Sequence, residues 1–127
     1  MNDADELIRY RRAGGMAGLD QRLTVFGDGR TVLEDRRART TTETQASGAE
    51  VERLAALIAA IPSDRWHSAL GALGRAVLPR PHEGMRFELR RGSARISGHA
   101  GKADTGLAAL LAELDELLAR SVRARRD

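Results

Sequence analysis

The apolar residues of this chain change their period at Ser47, and that change does most to fix what the chain can fold into. Before it, short runs alternate. Ile8 and Tyr10 fall on one side of Leu7–Arg12, with Leu7, Arg9 and Arg11 on the other, and Leu23 and Val25 repeat the pattern in Gln21–Phe26. Gly27-Asp28-Gly29 is a hairpin signal, since Asp-Gly supplies the positive φ that tight turns require, and Thr31–Arg36 is a third strand-like run. Arg37-Ala38 then turns the chain into Arg39–Thr44, where β-branched threonines favour an extended strand near a sheet edge, because nothing large and apolar is there to bury.

Ser47-Gly48-Ala49-Glu50 reads as a capping box, in which serine and glutamate satisfy orphan backbone donors at a helix start. Behind it Val51, Leu54, Leu57, Ile58 and Ile61 recur at helical spacing until Pro62 stops the run. Residues 63–84 are a mixed connector. Ser63-Asp64 suits the cap of a short helix carrying Trp66, Leu70 and Leu73, while Gly71, Gly74 and Pro79-Arg80-Pro81 interrupt it. Met85–Arg90 alternates strictly, Arg91-Gly92-Ser93 turns it, and Ala94–Gly98 returns as a second hairpin. Asp104 or Thr105 then caps a helix with Leu107, Leu110, Leu111, Leu114, Leu117, Leu118 and Val122 on one apolar face, and Arg123, Arg125 and Arg126 at the end favoured by its dipole.

The expected fold is therefore α+β: an antiparallel sheet of about four to six strands with two main helices packed on it, in the order ββββ-α-(short helix or loop)-ββ-α. At 127 residues it is read as a single domain over 1–127, with residues 1–5 and 123–127 as frayed tails. Aromatics are only 3% of the residues, so the core must come from Leu, Val, Ile and Ala, and base-stacking nucleic-acid folds are disfavoured.

Charge and cysteine content exclude more than they assign. The net charge is only +3 although Lys102 is the sole lysine among 21 cations, so the arginine bias establishes no nucleic-acid partner. Without cysteine there is no disulfide framework, thiolate metal site or cysteine nucleophile. The acidic start Met1–Glu6 lacks the features of a secretory signal, and no apolar stretch reaches the ~18 residues of a membrane span, which leads to the expectation of a cytoplasmic protein without a membrane partner.

No residue set converges on catalysis. His67, His82 and His99 lack the close pairing of a helix- or strand-borne metal site, so neither metal nor cofactor is expected. The carboxylates Glu34-Asp35, Glu113 and Asp115-Glu116 fall on faces expected to be solvated. The expectation is a binding module, not an enzyme.

The one unusual motif is Arg11-Arg12-Ala13-Gly14-Gly15-Met16-Ala17-Gly18, set between the first two strand-like runs. Glycines crowd where a backbone needs positive φ or must approach a partner. The loop lacks both the terminal Gly-Lys-Ser/Thr of a P-loop and a following helix to receive an anion. In layout and residues this segment resembles emfourin, the proteinaceous inhibitor family of thermolysin-like metalloproteases of the protealysin group, whose members open with a strand, an Arg-x-Gly-Gly-x-x-Gly-type loop and a second strand. The resemblance extends to the element order of the whole chain, but at the level of motif only to its first half. The chain departs from the family at Ala13, where many relatives carry Ser or Thr, and in the approach Pro81–Met85 to the late strand.

What the resemblance implies is steric inhibition of a thermolysin-like metalloprotease, with a sheet holding one or more loops in the protease cleft; the chain itself is expected to be a monomer. The expected partner-binding residues are Arg11, Arg12, Gly14, Gly15, Met16, Gly18 and Leu19. Met16 is the apolar tip for a hydrophobic specificity pocket, Leu19 either joins it or turns into the core, and the two arginines flank the contact and pair with carboxylates on the cleft rim. A second reading is an arginine-rich module binding nucleic acid or an acidic partner through Arg9, Arg11, Arg12, Arg36, Arg37 and Arg39 aligned on neighbouring strands. A third is a homodimer formed through the leucine-rich last helix, whose apolar stripe otherwise serves as core.

Overall fold

The computed structural model describes residues 5–15, 18–68, 85–99 and 105–126. Four strands come first: β1 (Glu6–Gly14), β2 (Leu19–Phe26), β3 (Arg30–Asp35) and β4 (Thr40–Gln45). Helix α1 (Gly48–Ala59) follows, then one 3-10 turn (Ser63–Arg65), a two-residue strand β5 (His67–Ser68), the hairpin β6 (Met85–Arg91) and β7 (Ala94–His99), and helix α2 (Thr105–Arg126). The expected α+β fold and element order are found. All strand pairings are antiparallel, in the spatial order β4-β3-β2-β1-β6-β7-β5. The threonine-rich β4 is an edge strand, as its lack of apolar residues implied.

Alternation sets the two faces of the sheet. Ile8, Tyr10, Leu23, Val25, Leu33, Phe87, Leu89 and Ile96 are buried on one face. Register joins them into continuous rows, such as Leu33–Leu23–Tyr10–Leu89–Ile96 across five strands. Helix α2 packs over β3 and β4, and α1 packs against α2. The expected leucine stripe of α2 is buried here, with Val122 half-buried at its end, so it serves as core and not as a free dimer face. Each such side chain contributes about 1.5–3 kcal/mol relative to exposure.

The capping box at Ser47 is present in both halves: the Glu50 amide donates to Ser47 Oγ (3.1 Å), and the Ser47 amide donates to Glu50 Oε1 (2.9 Å). Gly29, at φ +93°, closes the β2–β3 turn by donating to the Phe26 carbonyl.

Several local expectations are corrected. The β3–β4 connection takes Arg36 to Arg39, not Arg37-Ala38 alone. Asp35 Oδ1 accepts the Ala38 amide (3.0 Å) and Arg39 adopts φ +57°, which ends β3 at Asp35 and starts β4 at Thr40. The expected short helix after Ser63 is a single 3-10 turn, because the chain straightens at Trp66 and pairs His67 and Ser68 with Arg95 and Ala94 at the sheet edge. Leu70 and Leu73 lie outside the described residues. The expected frayed tail at 123 is instead helical through Arg126. Among the described residues, no helix is long and apolar enough to cross a membrane.

Candidate partner-binding loop

The motif Gly14–Gly18 joins the two longest strands at one end of the sheet, where Gly14 lies opposite Leu19 in the last register pair. Gly14, Gly15 and Gly18 have φ of +112°, +75° and +67°, and the Gly18 amide donates to the Gly15 carbonyl (3.1 Å), which ties the two strand ends together. A Cβ at Gly18 would meet open space, so its glycine is required by conformation and not by crowding. Met16, the expected tip, lies outside the described residues.

The base of this hairpin is braced on both sides. Arg11 donates from Nε and Nη2 to the two oxygens of Asp20 (3.0 and 3.1 Å), a bidentate pair directly beneath the turn. Asp20 is tied in turn to the β3–β4 connection, since its carbonyl accepts the Arg36 amide (2.9 Å) and Arg36 Nε lies 3.9 Å from its carboxylate. The hydrogen bond to Asp20 pushes the Arg11 guanidinium still higher than its ordinary range. On the other side β6 pairs with β1, placing Met85 opposite Gly14, and a Cβ on Gly15 would come within 3.4 Å of Met85 Sδ.

The other sequence-derived residues separate. Arg12 is one position from Arg11 and therefore points to the helix-covered face, where its Nη1 lies 3.8 Å from Asp115 Oδ1. Leu19 is half-buried at the end of β2. Arg11 and Arg12 are thus each paired within the chain and do not flank the turn together. Met85 was missed as a neighbour of the loop. Nothing in its local pattern could have revealed it, because strict alternation identifies a strand without naming its partner.

The arginines of the second reading do not align either. Arg9 and Arg11 share the face turned away from the helices, Arg12 is on the reverse, and Arg36, Arg37 and Arg39 belong to the β3–β4 connection. The carboxylates expected to be solvated include two with structural partners: Asp35 is buried, and Asp115 accepts the Tyr10 hydroxyl (2.7 Å). Burial, then Asp115, pushes the Tyr10 phenol above its ordinary range. Among the described residues, no group of three His, Asp or Glu side chains is placed to hold a metal ion.

No protein-family model, curated protein or solved structure matches the chain.

Proposed function

We propose that this chain is an emfourin-like inhibitor of a thermolysin-like metalloprotease, acting by seating the β1–β2 turn in the protease cleft. The observation that carries this reading is the pair of loop ends, with positive φ at Gly14, Gly15 and Gly18 and a Gly18–Gly15 hydrogen bond, braced by the Arg11–Asp20 pair. Loop ends already held in place lose less conformational entropy on docking. The motif's resemblance to the inhibitor family supplies the target class.

The geometry changes the parts assigned to the side chains. Arg11 supports the turn through Asp20, and Arg12 supports the opposite face through Asp115, which leaves Met16 and half-buried Leu19 as the apolar contacts. No catalytic chemistry is assigned to the chain itself. The test is a titration of protease activity with Met16→Asp beside the parent protein. Loss of inhibition with an unchanged unfolding curve supports the loop as the contact, and undiminished inhibition by the variant contradicts it.

A further inference from the structure

The sheet face turned away from the helices carries its charges in rows set by register. Arg9 on β1 lies opposite Arg90 on β6, and Arg90 lies opposite Arg95 on β7, so three guanidinium side chains stand side by side across three strands. In the adjoining row Arg22 on β2 lies opposite Arg11, which lies opposite Glu88. Neighbouring strands are about 4.8 Å apart, and like charges directly opposite one another are destabilising. A fold that keeps three such contacts, Arg9–Arg90, Arg90–Arg95 and Arg22–Arg11, stores repulsion that a bound anion would relieve.

Internal carboxylates compensate only part of this charge. Glu88 serves two cations, with Oε1 3.2 Å from Arg90 Nε and Oε2 3.4 Å from Arg95 Nη1. Glu6 takes Arg9 Nη2 (2.8 Å), and Asp20 takes Arg11. Among the described residues Arg22 is shown with no ion pair. The Nε groups of Arg9 and Arg90 are buried without a hydrogen-bond acceptor, since the approach of Arg90 Nε to Glu88 is not aligned for donation. Both arginines line one depression, together with Arg11, Arg22 and Glu88. Buried donors without an acceptor, near an Arg22 whose one facing carboxylate is Glu34 on β3, are a second sign that the depression suits an anion.

We propose that this depression is a binding site for a compact oxyanion of the phosphate or sulfate ester class, held by Arg9, Arg11, Arg22 and Arg90. Guanidinium forks approaching from three strands match the several oxygens of a tetrahedral anion, whereas a planar carboxylate satisfies fewer of them. The acids Glu6, Asp20, Glu34 and Glu88 interrupt the face, so the described residues form no continuous basic track for a nucleic-acid backbone. The site shares Arg11 with the brace of the β1–β2 turn but does not depend on the inhibitor reading.

The test follows the arginine Nε–H resonances in ¹H–¹⁵N spectra while inorganic phosphate, a phosphoserine tripeptide or a short DNA oligonucleotide is added at constant ionic strength, with chloride as control. Saturable shifts of a subset of these resonances are expected with phosphate or phosphopeptide. Tighter binding of phosphate identifies a free anion, and tighter binding of the peptide identifies an esterified side chain of a partner. Arg22→Gln and Arg90→Gln, each with its backbone amide spectrum retained, are expected to weaken binding about tenfold, as loss of one charged hydrogen bond does. Shifts no different from chloride, shifts unchanged in both variants, or preferential oligonucleotide binding with a steep salt dependence would overturn the proposal.

Discussion

Tyr10, in the middle of the sheet, donates its hydroxyl to Asp115 on the last helix, 2.7 Å across 105 positions of sequence. The ring is almost completely buried, so this bond satisfies the one polar atom of a large core side chain and sets α2 against β1. Tyr10→Phe keeps the ring and removes the bond. It is expected to cost about 1 kcal/mol in urea unfolding, with Asp115, already half-exposed, returning to water.

Glu50 joins two structural duties, closing the capping box at Ser47 and pairing with Arg120 on α2 (Nη1 to Oε1, 3.0 Å). Arg120 first and the Ser47 amide second lower its carboxyl from the ordinary 4.5 to about 2. A group whose pKa is depressed on folding contributes stability above its unfolded value and loses it as pH falls toward the folded one. Unfolding midpoints of the parent protein are therefore expected to fall between pH 4.5 and 2. Glu50→Gln is expected to be less stable at neutral pH and to lose less across that window. Parallel profiles would remove Glu50 from the account of acid sensitivity.

Gly29 is where the β2–β3 turn meets the exit of β4. Its amide donates to Phe26, its carbonyl accepts from Ala46, and a Cβ would lie 2.5 Å from the Ala46 carbonyl oxygen. Gly29→Ala adds this backbone clash to the strain of φ +93°, and a loss of at least about 2 kcal/mol is expected in denaturant unfolding. Gly18→Ala meets no such neighbour, and its expected cost of about 1 kcal/mol comes from conformation alone.

What the sequence made legible was local. The Ser47–Glu50 box and the spacing of Leu54 and Ile58 specify α1 within one stretch of chain, and alternation in Leu23–Val25 and Phe87–Leu89 specifies strands and their buried faces. The pairing of β1 with β6 was not legible, because register between distant strands is decided by the assembled core and the helices that cover it. That pairing puts Met85 beside Gly15 and Arg90 beside Arg9, so a neighbour of the loop and the arginine rows were both hidden. Two polar residues also escaped. Asp35 is buried by accepting the Ala38 amide, and Ser121 sits inside the leucine stripe because its hydroxyl donates to the Leu117 carbonyl and shares a hydrogen bond with Thr44. Hydropathy assigns such residues to the surface, whereas their partners decide.

The inhibitor reading stands or falls on a titration of a thermolysin-like metalloprotease with the purified protein, following peptidase activity up to several equivalents. The account predicts loss of activity that saturates near equimolarity. Full activity throughout, against a panel of such proteases, would contradict it.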